Sequence, residues 1–211
     1  LVAGGVAEQA EQCLNNIKAI LESIDHVMDD VVRITIFVTD VSDIEAATQV
    51  YKTFFPSYVP ALTTVAAAAL PMDALVQIEA VVSHGDGTPP QPPEDARNII
   101  IEASSTDSAP KGPCSHTVAF SHYNHISAQL PVDPATGVTV AGGVKEQAGQ
   151  CLKHIQTIVE SVGHTLADVV KINIALKNIA DMAAVDEVYA SFFPGGVPAR
   201  RTIGVTALPG N

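Results

Sequence analysis

Two adjacent arginines distinguish one stretch of this sequence from a similar stretch elsewhere in it. Residues 198–202 read Pro-Ala-Arg-Arg-Thr and residues 60–64 read Pro-Ala-Leu-Thr-Thr, so Arg200 stands where the other stretch has Leu62. The planar guanidinium group of arginine can bind both oxygens of a carboxylate through parallel hydrogen bonds. An arginine at position 200 is chemically able to bind a carboxylate, and a leucine at position 62 is not. The alternative is a surface arginine beside Arg201 in a mildly basic turn.

Histidine and cysteine, the usual ligands of transition metals, form no ligand pattern. His116, His122 and His125 are close in sequence, but no acid or cysteine stands beside them at ligand spacing. Cys13 and Cys151 fall on the apolar stripes of two predicted helices, which favours buried structural thiols. We therefore predict neither a metal nor a cofactor.

The two similar stretches belong to a tandem duplication. Residues 1–71 align without a gap with the similar residues 139–209. A repeat of this length is a domain rather than a solenoid unit. Residues 84–96 are rich in proline and glycine, which is typical of a linker. We predict a first domain at 1–83 without its N-terminal strands and a second at 97–211 without its last strand. The chain is therefore expected to be clipped relative to the functional protein.

Charge and hydropathy exclude two classes of partner. The net charge is −12, with 11 Lys and Arg against 23 Asp and Glu, and a phosphate backbone is bound mainly by cationic side chains. The longest apolar run, residues 66–71, is far shorter than the roughly 20 residues that span a bilayer. We therefore expect no nucleic acid and no membrane. Scattered cysteines favour a reducing compartment, so we expect a cytoplasmic location, with the mitochondrion as the alternative.

Hydrophobic periodicity predicts the same helix, strand and helix in both repeats. In the first repeat it predicts a helix from Val6, a strand at 32–38, a helix opened by Ser42 and Glu45, and strands near 63–67 and 74–83. The second repeat adds a strand at 98–103 and a hairpin of 117–121 with 125–130. Two amphipathic helices on one face of a mixed sheet predict an α+β fold.

Several short motifs occur in a fixed order across both repeats. They are residues 112–115 (GPCS), 126–137 (ISAQLPVDPATG), 168–171 (DVVK), 188–193 (VYASFF) and 197–200 (VPAR), with 16–22 (NIKAILE), 30–32 (DVV) and 77–80 (QIEA) in the first repeat. Together they resemble the RidA/YjgF family of reactive-intermediate (enamine/imine) deaminases. The resemblance implies two chorismate-mutase-like domains, each a mixed sheet with two helices on one face. It also implies ligand clefts between adjacent domains, in a homotrimer of tandem chains or by pairing of repeats within a chain.

The resemblance implies roles for five positions. Arg200 would hold the substrate carboxylate and Ser127 would line the cleft, and these two are the predicted catalytic residues. Cys114 and Thr202 would also contact substrate, although the family often has tyrosine and cysteine there. Gln77 stands where the family has the glutamate that holds the attacking water. An amide can position a water but cannot take its proton, so general-base help worth about 10²-fold would be missing.

Two functions from different classes follow. The first is a hydrolytic deaminase of reactive enamine/imine intermediates of small amino acids, of the 2-aminoacrylate type. It would resemble a 2-iminobutanoate/2-iminopropanoate deaminase and bind a small carboxylate-bearing imine or enamine in the second repeat. The second is a non-catalytic carboxylate-binding or assembly module, such as the tail of a larger enzyme of the diphthine-ammonia ligase kind. The endoribonuclease activity reported in the family is disfavoured by the acidic charge.

Overall fold

The computed structural model of the chain describes residues 1–83, 102–107, 109, 112–120 and 123–210. The helices in these ranges are α1 (Val6–Glu22), α2 (Ile44–Thr53), α3 (Val144–Ser161) and α4 (Met182–Phe192). The strands are β1 (Val31–Val38), β2 (Ala61–Ala66), β3 (Val76–Val82), β4 (Glu102–Ser104), β5 (Thr117–Phe120), β6 (Tyr123–Ile126), β7 (Lys171–Leu176) and β8 (Ala199–Gly204). None of the described helices combines the length and apolar character that crossing a bilayer requires.

The helices α1 and α3 begin in the same way, at paired glycines. Gly4 has φ +119°, a left-handed conformation that favours glycine, and a Cβ there would lie 2.8 Å from Cγ of Glu8. The Glu8 carboxylate accepts a hydrogen bond from the backbone N–H of Gly5 at 2.8 Å. Glu146 accepts the same bond from Gly143 at 2.8 Å. Both helices therefore start from one local motif, as expected for duplicated sequence.

The chain divides into two compact units, and the first contains the sheet of the first repeat. In that sheet β1 is central, parallel to β2 and antiparallel to β3. Alternate residues of β1 are fully buried, namely Val32, Ile34, Ile36 and Val38. Helix α1 packs on β3, α2 packs on β1, and the two helices pack on each other. The period-two pattern of β1 and the predicted helices on a mixed sheet are therefore confirmed.

The first unit also includes residues 112–128, which precede the helices of the second repeat in sequence. These residues carry β5 and β6, which pair antiparallel, and β4 pairs with β5. Val118 of β5 packs in one apolar cluster with Val32 and Ala61 of the first repeat. The backbone N–H of Ala128 donates to the carbonyl of Leu62 at 3.0 Å. The compact units therefore divide the chain differently from the predicted domains 1–83 and 97–211, because this hairpin buries its apolar face on the first repeat.

The second unit comprises residues 105–111 and 129–211. Its strands β7 and β8 pair in parallel, and helices α3 and α4 pack on each other. The buried core brings together Leu152 of α3, Ile172 of β7, Tyr189 of α4 and Phe193. Helix, strand and helix therefore repeat the arrangement of the first repeat, as the duplication predicts.

The start of α2 differs from the predicted capping box of Ser42 and Glu45. A short 3-10 helix (Val41–Asp43) precedes α2, and Asp40 caps it by accepting hydrogen bonds from Ser42 N–H at 2.9 Å and Ser42 Oγ at 2.8 Å. Glu45 instead accepts a bond from Gln49 at 2.5 Å. The carboxylate of Asp40 is the stronger acceptor, so the cap lies two residues earlier. The predicted linker 84–96 and the first part of the strand predicted at 98–103 lie outside the described residues.

Candidate functional site

The guanidinium group of Arg200 lies in the second unit between a carboxylate and an aromatic ring. Arg200 is on β8, opposite Ile172 of β7, and its Nη1 donates to Oδ1 of Asp186 at 2.5 Å. Its Cζ lies 5.2 Å from the ring centroid of Tyr189, within the range of a cation–π attraction. The Arg200 side chain is 24% exposed and that of Asp186 is 47% exposed. The guanidinium is therefore held on two sides and still reachable from solvent.

Helix α4 supplies both partners of Arg200. Asp186 and Tyr189 are three residues apart on the helix and so share one face. The hydroxyl of Tyr189 donates to the backbone carbonyl of Pro198 at 3.4 Å, which ties the ring to the segment leading into β8. Burial raises the pKa of Tyr189, and the Arg200 charge opposes that rise. The phenol therefore stays protonated at neutral pH and keeps its hydrogen bond.

The first repeat has the same hydrogen bond from a tyrosine to a proline carbonyl, but it lacks the two charged residues. Tyr51, the counterpart of Tyr189, donates to the carbonyl of Pro60 at 3.1 Å, and burial raises the pKa of this phenol. The acid and the arginine of the second repeat are replaced by Thr48 and Leu62, and both are buried. A threonine and a leucine offer no positive charge, so this position of the first repeat cannot bind a carboxylate as an ion pair.

Ser127 lies in the first unit, where its hydroxyl joins two backbone segments. The residue is 3% exposed. Its Oγ donates to the carbonyl of Ser115 at 2.6 Å and accepts from the backbone N–H of Leu62 at 2.9 Å. A serine hydroxyl has one proton to donate, and here that proton is directed at a backbone carbonyl. This geometry anchors the β5–β6 hairpin beside β2, and the predicted catalytic role of Ser127 stays a prediction.

Cys114 lies beside Ser127 in the same unit. Burial raises the pKa of the Cys114 thiol, while a hydrogen bond with the Ser127 side chain and one at the backbone of Leu62 act in the opposite direction. The net rise keeps the sulfur protonated at neutral pH, and a protonated thiol is a poor nucleophile. Cys114 is therefore suited to line a pocket rather than to attack a substrate.

Gln77 and Thr202 lie on strands of different units. Gln77 is on β3, opposite Phe37 of β1, and is half-buried. Thr202 is on β8, two residues beyond Arg200, so both side chains lie on one face of the strand. The Thr202 Oγ1 is buried and has no hydrogen-bond partner among the described residues. The structure thus brings Ser127 and Cys114 together in the first unit, which also contains Gln77. It places Arg200 and Thr202 on one strand of the second unit.

The first unit contains a basic pair, Arg33 of β1 and His125 of β6, whose strands belong to different three-stranded sheets. Burial and the charge of Arg33 lower the pKa of His125. Arg33 donates to Oγ1 of Thr63 at 3.5 Å, and burial lowers its pKa, opposed by the charge of Glu79. Within the described ranges, no three His, Cys, Asp or Glu side chains are grouped as metal ligands. His122 lies outside those ranges.

Sequence reasoning missed Asp186 and Tyr189 as the neighbours of Arg200. A signal was present, because aligning the repeats sets Asp186 against Thr48 and Arg200 against Leu62. The acid and the arginine therefore occur together in one repeat and are absent together from the other, as expected for an ion pair. The position of Tyr189 gave no such signal, because the first repeat has tyrosine there too.

Comparison with known proteins gives matches to each half of the chain. The sequence profile of the family described as Endoribonuclease L-PSP matches residues 1–84 and 105–211. A RutC family protein of Pyrococcus horikoshii is 40% identical over 110 residues, which cover 51% of this chain and 87% of that protein. The 2-iminobutanoate/2-iminopropanoate deaminase of Mus musculus is 39% identical over 114 residues, which cover 53% of this chain and 84% of that protein. A crystal structure of a Rid family protein from Yersinia pestis is 34% identical with a TM-score of 0.50, covering 52% of this chain and 90% of that one.

These matches account for the main features of the fold. Each relative spans about half of this chain, as expected if one relative corresponds to one repeat. The predicted resemblance to the RidA/YjgF proteins and the predicted α+β fold class are confirmed. Residues 1–84 and 105–211 together contain every helix and strand described above except β4 (Glu102–Ser104), which lies just before the second range. The chain belongs to the Endoribonuclease L-PSP family and carries the family sequence twice.

Proposed function

We propose that the protein is a hydrolytic deaminase of small 2-imino acids, and that Arg200 of the second repeat binds the substrate carboxylate. The observation that carries the proposal is the setting of Arg200, which is held by Asp186 and Tyr189 yet remains 24% exposed. Relatives named 2-iminobutanoate/2-iminopropanoate deaminase are 38–42% identical over about half of the chain, which supports this class of reaction.

The reaction needs few protein groups. Water adds to the imine carbon to form a tetrahedral carbinolamine, and the imine nitrogen takes the proton that the water loses. The proton of the new hydroxyl group then moves to the nitrogen as the C–N bond breaks, so that 2-iminobutanoate and water give 2-oxobutanoate and ammonia. Because the substrate nitrogen is itself basic, the protein's main tasks are to bind the carboxylate and to orient the imine.

Thr202 supplies a second polar contact in this proposal. Its buried hydroxyl has no partner in the described part of the chain and lies on the same strand face as Arg200. A buried hydroxyl without a hydrogen bond costs about 1–3 kcal/mol, and a bound substrate would remove that cost. Arg200 would take the carboxylate and Thr202 a second oxygen or the imine nitrogen.

Asp186 competes with the substrate in this proposal. Its carboxylate already accepts a hydrogen bond from Nη1 of Arg200. A guanidinium has five N–H donors, so one bond to Asp186 leaves donors for a substrate carboxylate. The added negative charge weakens the attraction of Arg200 for an anion and disfavours substrates with a second carboxylate.

The first repeat serves as scaffold in this account. Leu62 removes the cation, and Gln77 can hold a water but cannot act as a base. We therefore expect catalysis to depend on the second repeat and to be slower than with a glutamate at position 77.

The test follows the decay of 2-aminoacrylate and 2-iminobutanoate, generated in situ from amino acids, with and without the protein. We expect the protein to accelerate decay above the rate in buffer and Arg200→Ala to abolish the acceleration. Arg201→Ala is the matched control, since it removes the neighbouring arginine of the same strand. No acceleration by the intact protein, or equal rates in Arg200→Ala and wild type, would contradict the proposal.

A non-catalytic carboxylate-binding or assembly module is the second candidate. The observations that favour it are Leu62 in the first repeat, the amide of Gln77, and the ion pair that already engages Arg200. This candidate predicts that a small carboxylate binds and that Arg200→Ala loses it, without any acceleration of imine decay. The homotrimer and the cytoplasmic location stay predictions, and light scattering of the full chain tests the former.

A further inference from the structure

Asp186 and Arg200 leave polar atoms unused on both sides of the hydrogen bond between them. The bond joins Nη1 of Arg200 to Oδ1 of Asp186, so it uses one of the five N–H donors of the guanidinium. Among the residues that the structure describes, Oδ2 of Asp186 and the other guanidinium donors have no hydrogen-bond partner. Both side chains are partly exposed. The pair therefore presents free donors beside a free acceptor.

The charges next to this pair in the sequence are directed elsewhere. Glu187, which follows Asp186 on α4, is paired with Lys145. Arg201, which follows Arg200 on β8, lies on the other face of the strand, because side chains alternate along a strand. A small ligand that reaches Arg200 therefore meets one positive group and one negative group.

We propose that Asp186 makes this site select zwitterions, in which a cationic nitrogen and a carboxylate are attached to the same carbon atom. The ligand carboxylate would bind the free donors of Arg200, and the nitrogen would donate to Oδ2 of Asp186. α-Amino acids and the protonated iminium form of a 2-imino acid belong to this class. The inference rests on the proposed function, because it adds a second contact to the same carboxylate site.

Electrostatics favours a zwitterion over a simple anion at this place. An anion is attracted by Arg200 and repelled by Asp186, so the two effects partly cancel. A zwitterion can place each of its charges against the opposite charge of the pair. The net charge of −12 also repels an anion at long range, but it does not repel a ligand without net charge.

The same contact has a consequence for the proposed reaction. A carboxylate beside the imine nitrogen stabilises the protonated form of that nitrogen. Water attacks the carbon of a protonated imine more readily than that of a neutral one. Asp186 then has two opposing effects on an imino acid: it weakens the hold of Arg200 on the carboxylate, and it binds and activates the other end of the substrate.

The test compares three ligands of similar shape by calorimetry with the full chain, namely 2-aminobutanoate, 2-hydroxybutanoate and 2-oxobutanoate. Only the first carries a cationic nitrogen at neutral pH. We expect it to bind about two- to fivefold more tightly than 2-hydroxybutanoate, which is the usual effect of one exposed ion pair. The preference over 2-oxobutanoate should have the same direction.

Variants of α4 assign the preference to one residue. Asp186→Asn should abolish the preference for 2-aminobutanoate and should bind 2-hydroxybutanoate at least as tightly as the wild type. Glu187→Gln is the matched control, because it removes the same charge from the next residue and should keep the preference. Circular dichroism verifies that both variants remain folded.

Two results would overturn the proposal. The first is equal affinity of the wild type for 2-aminobutanoate and 2-hydroxybutanoate, which needs no variant, and the second is a preference that survives in folded Asp186→Asn. Failure of the proposed function is a separate result, since imine decay would then not be accelerated while the preference and its loss in Asp186→Asn remain measurable. Accelerated decay that depends on Arg200, without any preference among the ligands, would overturn this inference alone.

Discussion

At the scale of single residues, the two repeats differ in an ion pair at the position of the proposed carboxylate site. Arg200 and Asp186 of the second repeat replace Leu62 and Thr48 of the first, while the tyrosine beside them is kept. Asp186 and the ring of Tyr189 hold the Arg200 guanidinium, and its side chain is still 24% exposed. The pair therefore leaves a cation that solvent can reach, and in the proposed function Asp186 lowers its affinity for a substrate carboxylate.

The change Asp186→Asn should strengthen the binding of a small carboxylate. It removes the acid that competes for Arg200, and an exposed ion pair is worth up to about 1 kcal/mol, or about fivefold in affinity. The affinity for 2-oxobutanoate, measured by calorimetry, should rise by up to that factor. The control is Glu187→Gln, which removes the same charge from the next residue, where it pairs with Lys145. Weaker binding by Asp186→Asn would mean that Asp186 orients the arginine rather than competing with the ligand.

At the scale of elements, local periodicity was sufficient to predict the helices and most strands but not their grouping. The alternation in β1 and the apolar stripes of α1 and α3 are properties of consecutive residues, so the sequence contains them directly. The hairpin of β5 and β6 was predicted too, yet it packs on the first repeat through Val118 and Ser127. Strand edges can pair with any compatible edge, and the repeats are similar, so periodicity cannot specify the partner. The same limit explains why the sequence did not predict that Ser127 contacts Leu62 of the first repeat.

The change Ser127→Ala should lower stability because it releases this hairpin. It removes the bonds that Ser127 makes with Ser115 and Leu62 and leaves a buried backbone N–H unpaired, at a cost of about 1–3 kcal/mol. Urea unfolding of the full chain measures the loss. Ser191→Ala is the control, since that hydroxyl bonds only to its own helix and is exposed. An unchanged free energy of unfolding with lost deaminase activity would instead support the predicted catalytic role of Ser127.

At the scale of the whole molecule, the two units contain different polar groups on a duplicated fold. The first unit contains Leu62, Gln77 and the basic pair of Arg33 on β1 and His125 on β6. The second unit contains Arg200 and the buried hydroxyl of Thr202. The difference between Arg200 and Leu62 could be seen in the sequence, because charge at an aligned position can be compared directly, and the functional division inferred from it stays a prediction. The neighbours of each group depend on packing and could not be predicted in the same way.

The basic pair should make stability depend on pH. The pKa of His125 is lowered from 6.5 in the fold, so the unfolded chain binds more protons than the folded one between the two pKa values. Stability is then present above pH 6.5 and is lost as the pH falls toward the lowered pKa. His125→Gln should flatten the dependence of the unfolding free energy on pH between about 7 and 5. His164→Gln, at an exposed position, should leave it unchanged, and an identical pH dependence in all three proteins would contradict this role of His125.

The most direct test of the division between the repeats is the number of carboxylate sites per chain. Calorimetric titration of the full chain with 2-oxobutanoate, the product of the proposed reaction, gives that number and the affinity together. One molecule should bind per chain, Arg200→Ala should lose it, and Leu62→Ala should keep it. Two molecules per chain, or one that survives Arg200→Ala, would contradict the assignment of the carboxylate site to the second repeat.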